Sequence, residues 1–270
     1  ASFADYANLN DPTIEIAITP NHQDALGVYG IARDLAAAGI GTLIKPDISK
    51  ISGNFKSPIT INIEDKNACP VFAGRYIRGV KNGPSPEWMQ RRLISLGMKP
   101  ISALVDITNF MTHDYGRPLH VFDADNIAGN LKVRLSKSGE KLLALDEKEY
   151  VFDDQVCVIS DNKAINSIGG VMGGAGSGTY DETKNVFLEC AWFDPIRTAM
   201  TGRKLGIESD ARYRFERGVD PSTVLDGIEI ATRLILDMCG GQPSEVEVSG
   251  KVPVISKTII MRPERVKELG

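Results

Sequence analysis

The sequence predicts an α+β fold: antiparallel or mixed sheets with flanking helices, and a small N-terminal α/β unit ahead of a larger domain. Three observations carry this. Strand-like runs gather in the middle of the chain, at 71–80, 131–160 and 185–193, instead of alternating one for one with helices. Helix-period apolar stripes occur in separate segments before and after that cluster. No internal repeat or low-complexity segment offers a solenoid instead.

Taken in order, "PTIEIA" at 12–17 alternates like a short strand. "TPNHQD" follows, with Asn21 or Asp24 placed to cap a helix whose Val28, Ile31, Leu35 and Ala38 share one face, and Gly39 is a plausible stop. "SPITINIEDKNACP" at 57–70 is a polar, strand-like connection. These segments make the N-terminal unit and its connection, residues 1–66. The main domain, 67–250, opens with the strand "VFAGRYIRGV". Ser85 then caps a helix with Pro86 at its first position, Met89, Leu93 and Leu96 on one face, and Gly97 at its end.

In "VDITNFMTHDYGRPLHVFD", 105–123, Val105 and Ile107 alternate with Asp106 and Thr108. This reads as a buried strand, then one short helical segment to Gly116, then a second strand through His120. Residues 131–160 alternate between turn-formers and predict a meander, 168–178 a glycine-rich loop, and "NVFLECAWF" at 185–193 a buried strand. A charged segment runs to Gly218. A helix follows from about Pro221 to Cys239, striped by Val224, Ile228, Ala231, Ile235 and Met238 and closed by Gly240. "KTIIMRPERVKELG" reads as the strand and helix that begin a further unit, 251–270. With Ala1 in place of an initiating Met, the chain reads as a piece of a larger protein.

Composition narrows the function classes. A hydrophobic share of 42% and a charged share of 24% suit a globular chain, and no apolar run approaches the roughly 18 residues of a membrane span. Cys69, Cys157, Cys190 and Cys239 are too scattered for a zinc site and read as reduced thiols. The net charge of −4 excludes a broad basic face for nucleic acid, so any such contact is local or shared with a partner.

Four features could carry chemistry. "GGVMGGAGSG" lacks both the GxGxxG spacing and the Gly-Lys-Ser/Thr ending, so it is either a close-approach loop for a ligand or a glycine-kinked strand. Thr108, Asn109 and His120 are either a site or satisfied polar residues of a core. Glu189 sits between Leu188 and Cys190 in an apolar strand, where a carboxylate needs a partner or a task. Arg197, Arg203, Lys204, Arg212, Arg214 and Arg217 form a phosphate-binding surface or a salt-bridged one with Glu208, Asp210 and Glu216. No Ser/His/Asp or Cys/His arrangement suggests covalent catalysis.

The segments "ITPNHQDALGVYGIARDLA", "GPSPEWMQRRL", "VDITNF", "RPLHVFDAD", "GGVMGG" and "SDARYRFERGVDP", in that order, resemble the bacterial phenylalanine–tRNA ligase beta-subunit family along essentially the whole chain. The resemblance implies the part holding that subunit's editing module, which hydrolyses tyrosine wrongly attached to the phenylalanine tRNA. It implies a cytoplasmic (αβ)2 enzyme made with an alpha subunit, whose ATP- and magnesium-dependent ligase site lies in that other subunit. No cofactor or metal is implied in this fragment.

By the same resemblance Glu189 receives the tyrosine para-hydroxyl, Ala211 leaves room for the ring, and Gly169 and Gly170 let the backbone approach the aminoacyl group, with Pro118 beside them. Thr108, Asn109 and His120 match positions lining the scissile ester and the terminal adenosine, and Lys99 lies near the tRNA end. Three departures bear on the pocket. Lys99 stands where the family often has Arg, which loses a bidentate fork. Gly169 stands where Ala is frequent, and "INS" at 165–167 replaces a more apolar run. A purely RNA-binding scaffold and a free-standing amino-acid-binding domain are the competing readings.

Overall fold

The computed structural model describes residues 2–6, 12–254, 256 and 258–269. In chain order the elements are α1 (Phe3–Tyr6), α2 (Val28–Ala37), β1 (Ile61–Ile63), β2 (Val71–Arg78), α3 (Glu87–Ser95), α4 (Ala103–Asp114), β3 (His120–Asp123), β4 (Leu131–Leu135), β5 (Lys141–Leu143) and β6 (Glu149–Val151). They continue with β7 (Cys157–Ser160), β8 (Ile165–Ile168), β9 (Met172–Gly173), β10 (Asn185–Trp192), α5 (Pro195–Leu205), α6 (Asp210–Phe215), α7 (Val224–Cys239), β11 (Gln242–Pro243), β12 (Glu247–Gly250) and α8 (Pro263–Leu269). The class is α+β, as the clustering of strand signals predicts.

The most apolar strand of the sequence lies inside a sheet. β10 pairs antiparallel with β2 along its full length and with β3 from Val186 to Glu189. β11 and β12 both add to the far side of β2. Because side chains alternate across a strand, β10 feeds two cores. Val186, Leu188, Cys190 and Trp192 pack with the helix side, Ile107 and Met111 of α4 and Ile228, Ala231 and Ile235 of α7. Phe187, Ala191 and the following Phe193 pack with Leu131, Val133 and Ile159 of a second sheet, ordered β1-β4-β7-β8-β9. The molecule is therefore layered as helices, sheet, sheet. All four cysteines are buried as free thiols.

Several local expectations hold. α3 closes on Gly97, with the Gly97 N–H donating to Ile94 and the Met98 N–H to Leu93, each at 2.9 Å; Gly39 closes α2 with the same paired bonds. Others do not. Residues 12–17 form no strand, because no described strand pairs with them, and Ile14 and Ile16 stay exposed. Asn21 and Asp24 do not cap α2: the Asp24 carboxylate meets Arg33 and His22, and α2 starts at Gly27 without a side-chain cap. Val28 and Leu35, from the expected buried stripe, are exposed.

Ser85 does not cap α3 either. Its hydroxyl donates to buried Asp106 at 2.5 Å. The expected strand at 105–108 is part of one helix, α4: Leu104, Ile107 and Met111 recur at helical spacing and are buried, which outweighs a two-residue alternation read over four positions. Residues 131–160 are not a simple meander, since β4 pairs with β7 and β5–β6 is a separate hairpin between them. The charged segment holds two helices, with Asp194 and Ser209 as caps accepting from the N–H of Arg197 and Arg212. Residues 258–262 carry no strand before α8. Among the described residues no helix is long and apolar enough to cross a membrane.

Candidate functional site

Strand register sets the site. On β10 the side facing the second sheet carries Phe187, Glu189 and Ala191, and on β3 it carries His120 and Phe122. Glu189 lies directly across the strand pair from His120. Between the sheets is a small cleft of about 60 Å³, lined among others by Pro118, His120, Gly170, Gly173, Glu189 and Ala211, with Phe193 and Phe215 as apolar walls.

Both titratable groups in the cleft are held away from their usual protonation. Burial pushes the Glu189 carboxyl up to about 8, only partly offset by the positive charge of Arg117. Burial pushes His120 down to about 4. At neutral pH the cleft therefore presents a largely protonated carboxyl and a neutral imidazole. The Oε2 of Glu189 and the Nε2 of His120 are covered and have no hydrogen-bond partner among the described residues. Unpartnered buried polar atoms are rare, because each forgoes the hydrogen bond it had in water.

The neighbouring elements hold this pair by close approach. The His120 ring stands edge-on to Phe122, centroids 4.4 Å apart. On its other side it meets the backbone of Gly173, where a Cβ would fall 2.4 Å from the ring's Cε1. The turn from β8 to β9 is closed by the Val171 N–H donating to the Ile168 carbonyl at 3.0 Å, with Gly170 at φ +71°. That third position of the turn demands a positive φ, hence glycine. A Cβ at Gly169 would lie 2.7 Å from the Phe193 ring, so the turn rests flat on the aromatic wall. From the opposite side the Ser209 hydroxyl, which caps α6, donates to the Val171 carbonyl at 2.6 Å. One side chain thus sets both the turn and the first residues of α6, Ala211 included.

Of the residues singled out in the sequence, Pro118, His120, Gly170, Glu189 and Ala211 line the cleft, and Gly169 backs it. Thr108, Asn109 and Lys99 do not line it. Thr108 and Asn109 are half-buried on α4, and the Thr108 hydroxyl donates to the Val105 carbonyl at 2.7 Å. Lys99 is exposed just after α3. The charged segment is mostly salt-bridged: Arg212 to Glu216, Arg214 to Asp210, Arg217 to Glu216 and Lys204 to Asp153. Among the described residues no group of three or more His, Cys, Asp or Glu side chains is placed to hold a metal ion.

Sequence reasoning passed over Arg117 and Gly173. Arg117 is fully buried. Its Nε donates to the Cys190 thiol at 3.1 Å, one terminal nitrogen to the Asp220 carbonyl at 3.2 Å, and the other to the Ala191 carbonyl. Gly173 was within reach, inside the same glycine-rich stretch. For Arg117 no local signal exists.

The family model described as B3/4 domain matches residues 68–240. The chain is 59% identical over 249 residues to the phenylalanine–tRNA ligase beta subunit of Mesorhizobium japonicum, covering 92% of this chain and 31% of that protein. It is 55% identical over 251 residues to the beta subunit of Bradyrhizobium diazoefficiens, covering 93% and 31%. It is 52% identical to that of Nitrobacter winogradskyi, covering 100% and 33%. The chain spans about a third of the length of these relatives. Among solved structures, an N-terminal fragment of the phenylalanyl-tRNA synthetase beta subunit from Pyrococcus horikoshii is loosely similar, with a TM-score of 0.47 and 15% identity over 90% of this chain and 70% of that one.

Proposed function

The chain belongs to the B3/4 domain family, and from that membership and its likeness to phenylalanine–tRNA ligase beta subunits we propose that its cleft hydrolyses tyrosine wrongly esterified to the phenylalanine tRNA. The observation that carries this reading is the facing pair of Glu189 and His120, each with an unpartnered polar atom, in a narrow apolar cleft. Tyrosine and phenylalanine differ by one hydroxyl. A site that hydrogen-bonds the hydroxyl can reject the analogue lacking it by about 10⁴-fold or more, because the analogue leaves the buried polar group unsatisfied. Glu189 supplies that group, Phe193, Phe215 and Ala211 the ring-shaped space, and the Gly170 turn the approach to the backbone.

The chemistry asks little of the side chains. A water oxygen attacks the ester carbonyl carbon, the bond to the ribose oxygen breaks, and that oxygen leaves with a proton. His120, neutral and too weakly basic to take a proton at neutral pH, orients the water or contacts the terminal adenosine through Nε2. The Gly169 and Val171 N–H groups are already bonded within the fold, so in this reading the Gly170 N–H is the turn's donor to the developing oxyanion. Thr108, Asn109 and Lys99, outside the cleft wall, belong in this reading to the RNA side of the ester.

The whole enzyme would be an (αβ)2 assembly in the cytoplasm, with ATP and magnesium used at the alpha subunit's ligase site. Within it, residues 67–250 would act as the editing domain, 1–66 as its N-terminal companion and 251–270 as the start of the next domain. The test is deacylation of tyrosyl-tRNA(Phe) by the whole ligase, wild type beside Glu189→Ala and His120→Ala. Loss of hydrolysis with aminoacylation intact is expected; unchanged hydrolysis in both variants would return these residues to the core.

A further inference from the structure

We infer that Arg117 is a positioning residue for Glu189: it pins the strand just beyond that carboxyl and supplies the positive charge against which the carboxyl accepts a hydroxyl's hydrogen bond. The inference rests on the editing reading and adds to it the residue that sets the hydroxyl's recognition.

The placement comes first. β3 stops pairing with β10 at Glu189, so the Ala191 carbonyl lies beyond the last strand bond on that edge. Arg117, three residues before His120, takes that carbonyl, together with the Cys190 thiol and the Asp220 carbonyl. It thus joins the strand that carries His120 to the strand that carries Glu189, and its carbon stem leaves so little room that a Cβ at Gly227 would sit 3.3 Å from Arg117 Cγ. The Phe215 ring of the cleft wall lies 6.0 Å from the guanidinium carbon.

The charge comes second. All three acceptors of Arg117 are uncharged. A fold that needed only to cap a strand edge could use a neutral donor and avoid burying a cation, which is costly without a counter-charge. Around Glu189, His120 faces it from β3, Cys190 follows it on β10, and Cys69 and Cys157 approach from β2's leading edge and β7. The imidazole is kept neutral by burial and the thiols are kept protonated by it. That leaves Arg117 as the charge that draws the Glu189 carboxyl back toward ionisation. A carboxylate is the stronger acceptor for a phenolic hydroxyl, since a charged acceptor roughly doubles the bond's strength.

The experiment compares the initial rates at which the whole ligase deacylates tyrosyl- and phenylalanyl-tRNA(Phe), taken as a ratio from about pH 6 to about pH 9 so that hydroxide's own effect cancels. Wild type, Arg117→Lys, Arg117→Gln and Glu189→Gln are measured together. The wild-type ratio is expected to rise as the pH passes through about 8, and to be flat in Glu189→Gln. Arg117→Lys should keep the wild-type midpoint, and Arg117→Gln should move it upward by about one unit. An unmoved midpoint in Arg117→Gln, or equal displacement in both Arg117 variants, would overturn the inference and leave arginine as packing. If Arg117→Gln does not fold, Arg117→Lys decides alone: a preserved midpoint with tyrosyl preference supports the inference, and lost preference in a folded enzyme overturns it. A wild-type enzyme with no preference for the tyrosyl ester defeats the editing reading itself, and this inference with it.

Discussion

Arg75 and Arg117 are both fully buried, and both reach toward the layer of helices behind the central sheet, yet their surroundings differ. Arg75 on β2 meets Glu229 of α7 through both terminal nitrogens, at 2.9 and 3.3 Å, and also takes the Ile51 carbonyl at 3.0 Å. The Ile51 N–H completes the group by donating to Glu229 at 3.0 Å. Here every charge has its opposite and a remote segment is tied down. Arg117 meets only neutral acceptors, and the acid it influences, Glu189, keeps an unpartnered oxygen in a cleft. In the first arrangement the opposite charges meet within the protein, and of the guanidinium only Nε lacks a partner among the described residues. On the proposed reading a ligand completes the second, which is how a buried polar group comes to serve recognition instead of stability.

The comparison can be broken most forcefully at the complete end. Arg75→Met leaves the Glu229 carboxylate buried and uncompensated, and should lower stability by about 3–5 kcal/mol in urea denaturation; a loss below 1 kcal/mol would mean the pair is not the tie it resembles. At the open end the effect should be one of pH. Glu189 is raised from 4.5 to about 8 in the fold, so the unfolded chain releases its proton first. The contribution is therefore intact below about pH 4.5 and lost as the pH climbs to about 8, at about 1.4 kcal/mol per unit of difference in pKa. Glu189→Gln should abolish that decline, seen as melting temperatures that converge with wild type only under acid. His120, lowered from 6.5 to about 4, runs the other way: its contribution is present above 6.5 and lost as the pH falls toward 4.

Two smaller changes sharpen the picture. Gly173→Ala puts a methyl against the His120 ring and should cut tyrosyl-ester hydrolysis about tenfold or more by displacing the imidazole, with a modest stability cost. Ser209→Ala removes a cap and the bond to Val171, and should lower stability by about 1 kcal/mol in thermal unfolding.

What was legible in the sequence follows how local each signal is. β10, α7 and the Gly97 end of α3 announce themselves through apolar period or a terminal glycine. Glu189 is legible because a carboxylate among apolar residues is anomalous wherever it falls. α4 is not, because Val105 and Ile107 imitate a strand over four residues while the helical stripe needs eight to emerge. The helices at 195–205 and 210–215 hide under their charges, although the Asp194–Pro195 and Ser209 starts were there to be read. Arg117 is illegible in principle: its three acceptors lie at 190, 191 and 220, and only the folded chain brings them to residue 117. The assignment of Ala211 and Gly169 came from resemblance to a family, not from periodicity.

The buried thiols have a practical use. Burial pushes Cys157 up to about 12 and Cys239 up to about 11, and raises Cys69 and Cys190 as well, so almost none of the reactive thiolate exists in the native state. Alkylating reagents should therefore modify this protein only when a segment opens. Cys157 lies in the core between the sheets, and Cys190 and Cys239 in the core on the helix side, so mass spectrometry of the labelled peptides would time the two regions separately. The chain carries its own clocks for local opening, with no engineered probe.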